Sequence, residues 1–343
     1  MANQKFRVGI TRDALRDDGK TVFDSAALKV LDDPLIEWEF IPETVKELTA
    51  AHAATYDAFC VLSPRTSAAT LTGPNRRLKV VARLGVGYDN VDVPACTANG
   101  VILAITPDGV RRPVATSIMT FILALSHKLF IKDKITRAGR WNETKFHMGE
   151  GLIGKTVGSI GMGNIGSELF RLLAPFNMNF LACDPVKTQA DADRLGVKLT
   201  DMDTVLRDSD FVCVNCFLSE QTRGLVGERE LNLMKPSAYL INTARGPIVN
   251  EAALLKALTD KRIAGAALDV FEQEPAPAEN PLFKLDNVIV TPHSICWTDE
   301  CFRGNAEGAF RAAVAVAKGE LPKYVVNTDV IDHPDVKARR KSA

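Results

Sequence analysis

The sequence has no excess of charge of either sign: 42 lysines and arginines stand against 42 aspartates and glutamates. Without a global field, attraction to nucleic acid or to an anionic membrane is not expected, and a small-molecule partner fits better. No apolar run is long enough to cross a bilayer. The most apolar stretch, 113–126, covers 14 residues, is interrupted by Thr116, Ser117 and Thr120, and reads as a buried helix. No h-region with a cleavage site follows Met1, so a cytoplasmic location is expected. The seven cysteines, at 60, 96, 183, 213, 216, 296 and 301, are odd in number and scattered, which suits a reducing compartment rather than a disulfide framework. Cys213 and Cys216 match C-x-x-C, but in a strand-like run their odd offset points them to opposite faces, so no metal site is expected. No internal repeat or low-complexity segment is present.

At 343 residues the chain is long for one core and sufficient for two domains. It is organised around Val157-Gly158-Ser159-Ile160-Gly161-Met162-Gly163-Asn164-Ile165-Gly166, an apolar run that ends in glycines and leads into an amphipathic stretch through Leu169, Leu172 and Leu173. The pattern reads as a strand, a tight turn and a helix whose first N–H groups face an anion. Gly161 permits the turn, Gly163 lets a pyrophosphate approach the backbone, and Gly166 lets the helix pack on the sheet. A second apolar run, 178–183, ends at Asp184, 18 residues beyond Gly166. That is near the spacing of an acid that accepts hydrogen bonds from ribose hydroxyls, and such an acid favours NAD over NADP.

Earlier strand-like runs recur at 6–10, 36–40, 58–62, 79–83 and 101–104, separated by helix-length mixtures, which implies a mainly parallel sheet of its own. Arg65 follows the third run, and Gly85 and Gly87 follow the fourth. The glycines would expose backbone N–H groups suited to a carboxylate, with ordinary turns as the alternative. A helix is expected from Arg111 to Ser126, with Pro113 in its first turn. Six runs follow, at 156–160, 178–183, 211–215, 238–242, 264–268 and 287–291, the number in a complete doubly wound dinucleotide-binding sheet. The stretch 299–318 has helical spacing through Phe302, Ala306, Phe310 and Ala313 but no strand left to serve, so the chain is expected to cross back. The α/β architecture expected is a Rossmann NAD-binding domain, 109–298, inserted in a flavodoxin-like substrate domain, 1–108 and 299–336. Helices near 111–126 and 299–318 would form the hinge, and 337–343 would be a disordered basic tail.

Three late segments carry polar residues at strand ends: 242–246, 268–275 and 291–294. Here the sequence resembles the D-2-hydroxyacid dehydrogenase family, in its hydroxypyruvate or glyoxylate reductase and 3-phosphoglycerate dehydrogenase branch. Gly85-Val86-Gly87, Gly161-x-Gly163-x-x-Gly166, Thr243-Ala244-Arg245-Gly246, Asp269-Val270-Phe271-x-x-Glu274-Pro275 and Pro292-His293 follow the family's order, and the resemblance runs from about residue 55 to Asn327. It implies an NAD-dependent enzyme that interconverts a D-2-hydroxy acid and its 2-oxo acid. In that correspondence His293 gives and takes the proton, Glu274 orients the imidazole and raises its pKa, and Arg245 grips the substrate carboxylate.

The resemblance implies cofactor contacts at Gly161, Gly163, Asn164, Ile165, Gly166, Asp184, Cys216, Thr222, Thr243, Ala244, Arg245, Asp269 and His293. Substrate contacts are expected at Arg65, Val86, Gly87, Arg245, His293 and Trp297. Asp269 on the nicotinamide carboxamide implies that its removal weakens NAD binding more than proton transfer. A homodimer is also implied, with helix 113–126 as the contact. Two positions depart from the family's pattern: Phe217 stands where proline is usual, and Thr116-Ser117 replaces a common Glu-His pair. The alternative from another class is an NAD(H)-sensing corepressor or scaffold that retains the dehydrogenase fold.

Overall fold

The computed structural model describes residues 5–341 and separates into two compact units: Met1–Val110 with Trp297–Ala343, and Arg111–Cys296. Residues 1–4, read above as a non-secretory start, and 342–343 lie outside the described residues.

Unit 1 is built on a five-stranded parallel sheet, β1 (Phe6–Ile10), β2 (Ile36–Phe40), β3 (Ala58–Val61), β4 (Val80–Arg83) and β5 (Ile102–Ala104), in the order β2-β1-β3-β4-β5. This is the flavodoxin-like order. Alternate residues serve opposite faces, as strand geometry requires. Val8, Cys60, Val80 and Ala82 pack in one core with Phe302, Ala306 and Phe310, whereas Phe59, Val61 and Val81 pack in another with Tyr56 and Leu71. The helix Asp299–Ala317 supplies that first group with an apolar stripe interrupted only by buried Asn305.

The helix Pro107–Ser126 starts four residues before the expected Arg111, because Pro107 and Asp108 in its first turn suit a helix N-terminus. Pro113 therefore lies inside the helix rather than in its first turn. Within unit 1 the head of this helix crosses Asp299–Ala317 at glycines: a Cβ on Gly304 would lie 2.7 Å from the Cα of Gly109. The Thr106 hydroxyl donates to Asn305 Oδ1 at 2.8 Å beside that crossing.

The basic segment expected to be disordered is also different. Residues Pro334–Lys341 form a helix, because Val336 is buried and the Arg339 Nη2 donates to the Gly100 carbonyl at 2.6 Å.

Unit 2 holds β6 (Thr156–Ile160), β7 (Asn179–Cys183), β8 (Lys198–Leu199), β9 (Phe211–Val214), β10 (Tyr239–Asn242), β11 (Gly265–Leu268) and β12 (Val288–Val290). They form a parallel sheet in the order β12-β11-β10-β9-β6-β7-β8. The sequence shows six of these strands; β8 is a two-residue edge strand, too short and too polar to give an apolar run. Read from β6, the order is the doubly wound 3-2-1-4-5-6 with one strand added, so the direction of winding reverses between β6 and β9. Cys213 packs in the core on one face and Cys216 lies at the edge of the other.

The apolar side of Pro107–Ser126 is part of the unit 2 core through Ala115, Ile118, Phe121, Ile122 and Leu125. That side is used inside unit 2, and the exposed apolar residues come next, at Leu129, Phe130, Trp141, Phe146, Met148 and Ile153. Among the described residues no single helix is long and apolar enough to cross a membrane.

Candidate active site

The glycine turn joins β6 to the helix Asn164–Leu173. Gly161 has φ +98°, and a Cβ there would lie 2.9 Å from the Asn215 and Cys216 backbone, so only glycine lets the loops after β6 and β9 meet. A Cβ on Gly166 would lie 2.7 Å from the Gly161 carbonyl oxygen. Gly163 is the reverse case: a Cβ there would enter open space. It caps the helix without any side-chain hydrogen bond, so the first-turn amides, Asn164 and Ile165 among them, are uncapped and suited to an anion.

Asp184 follows β7 and accepts from Met162 N at 2.8 Å with Oδ2 and from Val186 N at 2.9 Å and Lys187 N at 3.1 Å with Oδ1. Burial opposes its charge, but these three amides outweigh it and hold the carboxyl below its ordinary pKa. An ionised acid, an open glycine and an uncapped helix head on one sheet edge fit a dinucleotide with free ribose hydroxyls. On the other side of the turn, Thr222 is used locally, its hydroxyl donating to Phe217 O at 2.7 Å and accepting from Ser219 N at 2.7 Å. Phe217, the departure from the family pattern, is 73% exposed.

Arg245, Glu274 and His293 come together in unit 2, after β10, β11 and β12. The His293 Nδ1 lies 2.6 Å from Glu274 Oε2, and Glu274 Oε1 accepts from Phe271 N at 2.9 Å. An ionised carboxylate only accepts, so Nδ1 carries the shared proton and Nε2 is left to exchange one. The Glu274 hydrogen bond, against the desolvation of the ring, raises the His293 pKa. Burial works against ionised Glu274, but the hydrogen bonds from His293 and Phe271 prevail and lower its pKa. Arg245 is near enough for its charge to act on both groups.

Two features bring Arg245 there. Asn242, buried at the end of β10, accepts from Ala244 N at 3.0 Å and donates to Arg245 O at 3.0 Å, fixing the turn that carries Thr243 and Ala244. Gly246 then lies directly on the next loop, where an added Cβ would stand 1.9 Å from the Phe271 carbonyl carbon and oxygen. Both residues sit in the motif at 242–246; the Asn242 bonds are local to the turn, whereas the role of Gly246 depends on a contact with the loop after β11 that no spacing in the sequence reveals.

Asp269 has a role the sequence reading did not include. Its Oδ1 accepts from the Thr291 hydroxyl at 2.6 Å, Ser294 N at 2.9 Å and Ile295 N at 3.2 Å, so it grips the loop that presents His293. Burial raises the Asp269 pKa in spite of these donors. His293 itself has φ +53°, a left-handed conformation that costs a non-glycine residue on the order of 1–3 kcal/mol and persists only where its surroundings enforce it.

In unit 1, Arg65, Val86 and Gly87 lie in the loops after β3 and β4. Arg83 ties these loops together, donating from Nε to Gly87 O at 2.8 Å and from Nη1 to Val61 O at 2.9 Å and to Leu62 O. Asn90 does the same, donating to Ser63 O at 2.9 Å and Pro64 O at 3.0 Å. The Arg65 backbone pairs with Lys46 and Leu48, leaving its side chain exposed. Trp297 is 56% exposed and meets Phe302 edge-on at 5.1 Å.

A doubly wound sheet with this turn and this acid defines the class of dinucleotide-binding oxidoreductases. Residues 119–294 match the model of the D-isomer specific 2-hydroxyacid dehydrogenase, NAD binding domain. The chain is 40% identical over 278 residues to the glyoxylate reductase of Thermofilum pendens, a match covering 79% of this chain and 81% of that one. It is 38% identical over 280 residues to the D-3-phosphoglycerate dehydrogenase of Archaeoglobus fulgidus, covering 82% of this chain and 53% of that one. A crystal structure of a glyoxylate reductase from Paecilomyes thermophila superposes with a TM-score of 0.82 at 27% identity, covering 94% of this chain and 99% of that one. The chain belongs to the D-isomer specific 2-hydroxyacid dehydrogenases, a family of NAD-dependent enzymes.

Proposed function

We propose that this enzyme reduces a small 2-oxo acid to the D-2-hydroxy acid and runs the reverse oxidation, with His293 as the acid and base. Candidate substrates are glyoxylate, hydroxypyruvate and the 3-phosphoglycerate pair. The observation that carries the reading is the 2.6 Å His293–Glu274 pair beside Arg245, on the same sheet edge as the glycine turn. NADH, when bound, supplies the hydride.

Hydride addition to a ketone turns its oxygen into an alkoxide, which needs a proton and a nearby positive charge. His293 Nε2 delivers the proton while Glu274 stabilises the imidazolium through Nδ1. Arg245 binds the substrate carboxylate with its planar fork and draws electron density from the carbonyl. The proposed cofactor ligands are the amides after Gly161 and Gly163, Asp184, and the backbone of 243–245. In unit 1, the Val86 and Gly87 amides, Arg65 and Trp297 are the proposed substrate contacts. The Glyoxylate reductase and D-3-phosphoglycerate dehydrogenase names of the relatives support the substrate class.

A homodimer and a cytoplasmic location belong to the same reading. The exposed apolar residues at 129–153 support the first, and a monomer mass in light scattering would remove it. Buried thiols at Cys60, Cys96 and Cys213 support the second.

The test is NADH absorbance with glyoxylate, hydroxypyruvate, pyruvate and 3-phosphohydroxypyruvate, using wild type and His293→Ala. Turnover of at least one substrate, lost by about 100-fold or more in the variant, is expected. NADH binding without turnover of any would favour the sensing alternative.

A further inference from the structure

The opposite end of the unit 1 sheet carries a concentration of charge that the reaction does not use. Lys5, Asp57 and Lys79 immediately precede β1, β3 and β4, and with Arg76 and Arg77 they line a cavity of about 530 Å³. Ligands of open α/β sheets act at the other, carboxyl ends of the strands, so this cavity lies away from the catalytic edge.

Four cations here face one carboxylate, and that carboxylate is already engaged. Asp57 is 3% exposed. Its Oδ2 accepts from Arg77 Nη2 at 2.6 Å and from Arg7 N at 2.9 Å, and its Oδ1 lies 3.1 Å from Lys79 Nζ. The Arg76 guanidinium donates to neutral acceptors, Leu78 O and Asn99 O, both at 2.6 Å. Arg77 Nε is buried with no hydrogen-bond partner. Lys79 Nζ is held over the Phe6 ring at 5.2 Å. Arg339, on the C-terminal helix, adds a further charge that acts on Arg76, and Asp335 on the same helix acts on both with the opposite sign, so the surplus rests on the four lining cations.

A concave wall with surplus positive charge focuses its field on the space it encloses, and guanidinium forks match the paired oxygens of carboxylates and phosphates. A single negative charge would leave most of the surplus in place; two or three would balance it. We propose that this cavity binds a small polyanion carrying at least two carboxylate or phosphate groups.

The test is calorimetric titration at matched ionic strength with saturating NADH, so that the dinucleotide site is filled. Pyrophosphate and tricarballylate are the probes, neither being a 2-oxo or 2-hydroxy acid. Saturable one-site binding of either supports the site, and the probe that binds tells a phosphate from a polycarboxylate ligand. The variant Lys5→Gln/Lys79→Gln leaves the Arg77–Asp57 pair in place and should bind about tenfold more weakly or worse. Equal affinity in that variant, or no saturable heat from either probe with wild type, overturns the proposal. Amine labelling of wild type gives a check that needs no variant: Lys5 and Lys79 should be protected by the bound probe, and labelling at the unliganded rate also overturns it.

Discussion

Replacing Glu274 with glutamine tests the proposed proton chemistry at one atom. In the native pair Glu274 Oε2 meets His293 Nδ1 at 2.6 Å while Oε1 accepts from Phe271 N at 2.9 Å. Glutamine cannot serve both donors: with its oxygen on Phe271 N, its amide N–H groups face Nδ1 and cannot stabilise an imidazolium. A hydrogen bond to a charged group contributes about 1.5–3 kcal/mol. The side chains here are 44% and 35% exposed, so solvent screening favours the low end. A loss of about 1.5–2 kcal/mol lowers kcat/KM for reduction roughly 10–30-fold.

The pH profile separates this from simple distortion. Reduction needs protonated His293, whose pKa is raised chiefly by the Glu274 hydrogen bond, so the rate falls as pH rises through that raised value. Removing the carboxylate lets the pKa drop, and the falling limb moves to lower pH. The assay is NADH absorbance across pH with the best substrate of the panel. A Glu274→Gln enzyme with an unmoved falling limb and a rate close to wild type would refute the reasoning.

Two further outcomes follow from the loops behind the pair. Gly246→Ala puts a Cβ 1.9 Å from the Phe271 backbone and should destabilise by about 1–3 kcal/mol, with loss of turnover as Arg245 moves. An unchanged melting temperature together with full activity would show that the two loops do not press together. Asp269→Ala leaves Ser294 N and Ile295 N without their acceptor and releases the loop that presents His293. It should therefore lower kcat at least as much as it raises the KM for NADH, in contrast to the mainly binding effect that the family correspondence implies; a normal kcat would restore the simpler view.

Local chemistry made much of this protein readable in advance. Alternating apolar runs announce parallel strands because a strand buried on both faces has to be apolar along its length. Gly161, Gly163 and Gly166 stand out because a turn, an open approach and close packing each exclude a side chain, and Asp184 follows at the distance one crossover helix sets. Helix boundaries were less legible: Pro113 suggests a helix start, but Pro107 takes that position and the tertiary core holds the helix straight through. The C-terminal basic segment looks unable to fold, and does so because Val336 and Arg339 find partners more than 200 residues away in sequence, such as Gly100.

Residue types, their order and the periodicity of burial were thus determined by the chain alone, since each depends on neighbours within a turn or a strand. The tertiary structure decided what long-range contact decides: that Gly246 sets the Arg245 turn against the loop after β11, that Asp269 holds a left-handed His293, and that charges from three separate segments gather in one cavity. Those relations have no local signature, because the groups involved meet only after the sheet has fixed the order of its strands.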